Sequence, residues 1–157
     1  MRAPRYWKVR EGLFIGWTPK SGMGTISTAF KGGKKYLANE VAGNEVILFL
    51  RHPIDRQVSG FRWFHDLGEP HAKDYETWVD YLLAGPDDIH VIPVTARQQP
   101  WVVTQLYRFE DMPALWPKLF DVPMPHVNAS RPHPVNDYRA EEITEFYRAD
   151  LDLWMSI

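Results

Sequence analysis

Apolar positions along this chain switch repeatedly between short continuous runs and helical spacing. Leu13-Phe14-Ile15-Gly16-Trp17 is a short run of strand-type residues, and the Pro/Gly/Ser turn after it leads into a segment, 24–30, that the spacing predicts as helix. A second unit repeats the order. Val46-Ile47-Leu48-Phe49-Leu50 is uninterrupted, as in a strand covered on both faces, and Pro53 suits the first turn of a helix running to about residue 67. On that helix Ile54, Val58 and Phe61 share one face, while Arg56, Ser59 and Trp63 fall on another. Tyr75, Trp78, Val79, Leu82 and Leu83 predict a third helix, ended by Gly85-Pro86. Residues 103–109 alternate like a strand, Asp111 can cap a helix over 112–120, and 123–134 is a Pro-rich loop. A last helix starts near residue 140 with a stripe of Ile143, Phe146, Tyr147, Leu151 and Trp154. Asp150 lies on or beside that stripe, which predicts a structural hydrogen bond or salt bridge for it. Strands alternating with helices imply an α/β protein with a parallel sheet and right-handed crossovers, whose ligands bind at the carboxyl ends of the strands.

Composition narrows the class. With 45% hydrophobic and 14% aromatic residues, the chain has enough apolar area for a packed core, and 157 residues suit one domain, 1–157, rather than two. A formal charge of −2 lacks the basic footprint expected of a nucleic-acid binder, so any anion site must be local. The absence of cysteine excludes disulfides, thiol catalysis and Cys-ligated zinc. The apolar runs fall short of membrane-spanning length and the first residues lack a signal-peptide core, which sets the expectation of a cytoplasmic protein without a membrane partner.

Two segments concentrate anion chemistry, each after a predicted strand. Thr18-Pro19-Lys20-Ser21-Gly22-Met23-Gly24-Thr25-Ile26-Ser27 combines a cation, two glycines and several hydroxyls at a helix start, where backbone N–H groups favour negative charge. Taken alone it is equally an ordinary capped Gly-rich turn. It is not a Walker A loop, because Lys20 precedes both glycines. Arg51-His52-Pro53-Ile54-Asp55-Arg56-Gln57-Val58-Ser59-Gly60-Phe61 places a planar cation at a strand end and a hydroxyl two turns into the helix. Arg56 alone reads as a solvated arginine pairing with Asp55 or a nearby Glu.

Together the two segments resemble the PAPS-dependent sulfotransferases, most closely those acting on carbohydrates: Pro-Lys-Ser-Gly-x-Gly-Thr is similar to their 5′-phosphosulfate loop, and Arg-x-Pro-x-x-Arg-x-x-Ser-x-Phe to their 3′-phosphate segment. The likeness extends through the 75–83 helix, His90 with Pro93, residues 107–111, Asn128-Ala129-Ser130, and Tyr147 with Asp150. It departs from the usual pattern in a longer lysine loop, with an extra residue at Met23 or Ile26. The resemblance implies a P-loop-like three-layer fold with a small parallel sheet flanked by helices. It also implies transfer of a sulfuryl group from 3′-phosphoadenosine-5′-phosphosulfate (PAPS) to a hydroxyl, leaving 3′,5′-ADP and needing no metal. Lys20 would then stabilise the leaving 5′-phosphate, aided by residues Ser21, Gly22, Met23, Gly24, Thr25, Ile26 and Ser27. Arg51 and Ser59 would hold the 3′-phosphate, with Arg131 closing over the nucleotide. Glu40 and His65 are the candidates for general base, His90 and Trp63 for acceptor contacts, and Trp101 for the lining of an acceptor groove. A carbohydrate acceptor and a possible homodimer complete the expectation. The alternatives are a small-molecule kinase with a variant P-loop and a silent nucleotide-binding protein on the same fold.

Overall fold

A computed structural model describes residues 5–97, 102–125 and 133–157. Its centre is a five-stranded sheet in the order β3-β1-β2-β4-β5, built from β1 (Tyr6–Arg10), β2 (Leu13–Gly16), β3 (Lys35–Tyr36), β4 (Glu45–Leu50) and β5 (Gln105–Arg108). β2, β4 and β5 run parallel, whereas β1 pairs antiparallel with both β2 and β3. The sheet is therefore mixed, which corrects the expectation of a wholly parallel one. The reason is local. Glu11-Gly12 closes a tight hairpin with Gly12 at φ +73°, a conformation that glycine adopts without strain, and the hairpin adds β1 to the edge of the parallel core. The short β1 run carries two cations among its five residues, and that charge masks it as a strand in the sequence.

Helices cover both faces of the sheet. Leu13, Ile15, Ile47 and Phe49 pack with Ile26 of α1 (Met23–Ala29) and with Met112 and Trp116 of α6 (Met112–Leu119). The alternate residues Phe14 and Val46 meet Ala38 and Val41 of α2 (Ala38–Val41), while Leu48 and Leu50 meet Val94 of α5 (Val94–Arg97) and Leu153 and Trp154 of α8 (Arg148–Met155). This two-sided burial explains the unbroken apolar run of β4. A separate cluster joins α3 (Pro53–Asp66), α4 (Tyr75–Leu83) and α7 (Ala140–Phe146) through Phe61, Phe64, Trp78, Leu82 and Ile143. The expected single final helix is broken at Tyr147, whose hydroxyl donates to Val91 O at 2.6 Å.

Arg56 is 1% exposed, so it is not the solvated arginine its sequence context suggests. Its Nη2 donates to Ile92 O at 3.0 Å and lies 3.6 Å from Asp150 Oδ2, and its guanidinium packs on the Tyr147 ring. Asp150 in turn accepts from Val94 N (2.7 Å), Thr95 N (2.8 Å) and Thr95 Oγ1 (2.7 Å). This network ties α3, α5 and α8 together beneath the carboxyl end of β4. Among the described residues no helix is long and apolar enough to cross a membrane.

Candidate functional site

The parallel strands β2 and β4 end side by side, so the loops that follow them meet. Their union is direct: Arg51 N donates to Ser21 Oγ at 3.3 Å, and Arg51 Nη1 donates to Lys20 O at 3.4 Å. Ser21 is almost fully buried, and its hydroxyl, accepting from Arg51, keeps its own proton for a further partner. Lys20 adopts φ +64°, in the left-handed region that residues with a Cβ seldom occupy. Gly22, at φ +80°, ends the turn, and a Cβ there would lie 2.6 Å from Met112 Cε and 3.0 Å from Phe109 Cε2. The first helical bond of α1 runs from Ile26 N to Gly22 O, which leaves the N–H groups of Gly22, Met23, Gly24 and Thr25 ahead of the helical ladder. Ile26 itself is a core residue, and Ser27 Oγ donates back to Gly24 O at 3.1 Å, so neither side chain is spare for a ligand.

Helix α3 supplies the opposite wall. Asp55, Ser59, Arg62 and Asp66 recur every three or four residues, on a single stripe away from the buried Gln57, Gly60 and Phe64. Asp55 and Arg62 both act electrostatically on Arg51, and Asp66 acts on Lys20, so the stripe that carries Ser59 faces both loop cations. Trp63 adds an aromatic platform, with Lys20 Nζ 5.0 Å from its ring centroid. Burial, and then the neighbouring Arg51, push the Lys20 ammonium down to about 8, against an opposing pull from Asp66. Arg51 is likewise lowered by burial and by Arg62, with Asp55 and Glu110 acting the other way. Arg62 Nε and Thr18 Oγ1 are buried without a hydrogen-bond partner among the described residues. Three cations thus converge where two are already destabilised by their surroundings, and a bound polyanion would relieve all of them.

The remaining sequence candidates divide. Glu40 is committed elsewhere: its carboxylate caps α2 by accepting from Leu37 N at 2.6 Å and pairs with Lys34 at 3.4 Å, on the β3 side of the sheet. The Leu37 N–H is the main reason its carboxyl lies below the ordinary range. His90 Nδ1 donates to Asp88 Oδ1 (2.9 Å), and the ring lies 4.8 Å from that of Trp63, next to the Lys20 platform. His65 is held by Ala72 O, 2.8 Å from its Nδ1, and lines a cavity of about 520 Å³ between α3, the start of α4 and residues 133–136. Arg131 and Trp101 lie outside the described residues. Arg62, Asp66 and His133 belong to this region but escape the sequence reading. The only trace of the first two is the spacing 55, 59, 62, 66, which in sequence is indistinguishable from a solvated helix face.

Among the described residues no group of three or more His, Asp or Glu side chains is arranged to hold a metal ion. Comparison of the chain with protein-family models, with curated proteins and with solved structures gave no match.

Proposed function

We propose that this protein is a sulfotransferase that moves a sulfuryl group from PAPS to a hydroxyl acceptor, with a carbohydrate hydroxyl the first choice. The observation that carries this reading is the meeting of Lys20, Arg51 and Arg62 at the carboxyl ends of parallel strands, beside the α3 stripe that also carries Ser59, with Lys20 and Arg51 both held below their ordinary values. A ligand with two separated anionic groups matches that layout. In this reading the β2-β4-β5 core and its flanking helices form a P-loop-like fold.

The residues fit the nucleotide by charge and by unmet hydrogen bonding. Lys20 and the backbone N–H groups of residues 22–25 would hold the 5′-phosphosulfate, while Arg51, Ser59 and the unpartnered Arg62 Nε would hold the 3′-phosphate. PAPS supplies an activated sulfuryl group bonded to a phosphate that leaves as an anion. Lys20 would set its charge beside the oxygen on which negative charge grows, and the Arg51–Ser21 hydrogen bond joins the two loops that would carry the anion sites. The 3′-phosphate contact separates this nucleotide from ATP.

Radiolabelled PAPS offered with a panel of carbohydrate, phenolic and lipid hydroxyls tests the reading. Label is expected to move to at least one acceptor class and to stay on the nucleotide with Lys20→Ala. A wild-type protein that moves label to no acceptor and releases none to water contradicts it.

A further inference from the structure

His133 and Asp66 form a pair that the nucleotide site does not use. His133 Nε2 lies 2.8 Å from Asp66 Oδ1, and Asp66 is the carboxylate that acts on Lys20. The pair therefore connects the cation assigned to the leaving group with whatever His133 faces. His133 faces the 520 Å³ cavity, which it lines together with His65, Phe61 and Tyr75. That volume falls within the usual range for a small-molecule site, and its mix of aromatic and polar walls suits a ring that carries hydroxyls. A carboxylate against Nε2 makes that nitrogen the donor and leaves Nδ1 as the acceptor nitrogen of the neutral ring. The same carboxylate stabilises the imidazolium formed when Nδ1 takes a proton, the role of the acidic member in a hydrolase triad.

From this geometry, and resting on the sulfotransferase reading above, we infer that the cavity receives the acceptor and that His133, oriented by Asp66, is the general base. The acceptor oxygen forms its bond to sulfur as its proton passes to His133 Nδ1. The bond between sulfur and the 5′-phosphate oxygen breaks, and its electron pair leaves on that oxygen, beside Lys20. Atoms and charge balance without a metal or a redox partner. His65 is the competing histidine in the same cavity. Its Nδ1 meets the Ala72 carbonyl, and Asp74 acts on it through space, whereas His133 has a carboxylate in direct hydrogen-bond contact to stabilise a developing positive charge. Among the described residues, the charged and titratable groups around His133 are Asp66 and His65 on α3, Lys73 and Asp74 from the chain leading into α4, and Tyr75 and Glu76 in its first turn.

Water, the smallest hydroxyl, makes the test independent of the natural acceptor. Sulfate release from PAPS is measured across pH for wild type, His133→Gln, His65→Gln and Asp66→Asn, alongside the affinity of each for 3′,5′-ADP. His133→Gln should lower turnover about 100-fold with 3′,5′-ADP affinity unchanged, since a positioned base contributes roughly that much. The acidic limb of the wild-type profile should vanish in His133→Gln, and Asp66→Asn should also lower turnover. Nitrogen NMR of the histidine rings should give His133 the Nε2–H tautomer, a readout that needs no turnover. Turnover of His133→Gln within about twofold of wild type, a loss confined to His65→Gln, or a wild type that binds 3′,5′-ADP and releases no sulfate overturns the assignment. Failure of the wild type to bind 3′,5′-ADP instead overturns the nucleotide reading beneath it.

Discussion

Lys20 is the residue at which local chemistry departs furthest from what stability alone would select. It holds a left-handed backbone at φ +64° and an ammonium lowered to about 8 by burial and by Arg51. Both features cost folding free energy, and both are accounted for if the proposed site takes an anion. The linkage has a definite sign. Because the folded value lies below the ordinary 10.5, holding the charge penalises the ligand-free fold fully below about pH 8, and the penalty fades as pH rises from there toward 10.5. Lys20→Asn, which removes the charge and tolerates the left-handed region, should therefore hold or raise the melting temperature at neutral pH while abolishing nucleotide binding. In wild type the affinity for 3′,5′-ADP should be flat up to about pH 8 and decline above it, as seen by calorimetry. A flat profile through pH 10, or a clearly destabilised Lys20→Asn, would show that Lys20 is an ordinary turn residue. Lys20, Arg51 and Ser59 are legible in the sequence because their motifs set them beside glycines and strand ends. Arg62, Asp66 and His133 are not, since a stripe on a helix and a histidine in a Pro-rich loop acquire meaning only from what faces them.

At the scale of elements, α3 does two jobs with two faces. Gln57, Phe61 and Phe64 bury against α4, where Gln57 donates to the Tyr75 hydroxyl at 2.7 Å and accepts from Trp78 Nε1 at 2.9 Å. The Asp55-Ser59-Arg62-Asp66 stripe faces the loops. The buried Arg56–Asp150 contact fixes how α3 sits relative to α5 and α8, and therefore how that stripe meets Lys20. Asp150→Ala strips three hydrogen bonds and leaves Arg56 buried without its carboxylate, so it should cost about 3–5 kcal/mol in a denaturant melt. A loss below about 1 kcal/mol would mean that Arg56 finds another partner. The long periodic elements α3 and α4 are legible from sequence nearly to the residue, because Pro53 opens one and Gly85-Pro86 follows the other. The break at Tyr147 is hidden, since Ile143, Phe146, Tyr147 and Leu151 keep helical spacing straight across it. The two-residue β3 is too short to leave any periodic signal.

Across the whole molecule, the charge of −2 conceals a local concentration of cations at one end of the sheet. Parallel pairing of β2, β4 and β5 creates that end by bringing Lys20, Arg51 and the Phe109-Glu110 turn together, and the β1 hairpin extends the sheet on the far side without reaching it. The order of strands and helices makes the meeting of the loops after β2 and β4 predictable from sequence, whereas the antiparallel edge depends on a single tight turn on the far side of the sheet. The central claim is that these loops, with α3, recognise a nucleotide by its 3′-phosphate. Thermal unfolding with added nucleotide tests it most directly, because a ligand that binds only the folded state raises the melting temperature in proportion to its affinity. The account predicts that 3′,5′-ADP raises the melting temperature well above any effect of ATP or 5′-ADP, with or without magnesium, and that Arg51→Ala or Arg62→Ala removes most of that rise. A larger shift with magnesium and ATP, or no shift with 3′,5′-ADP, would contradict it.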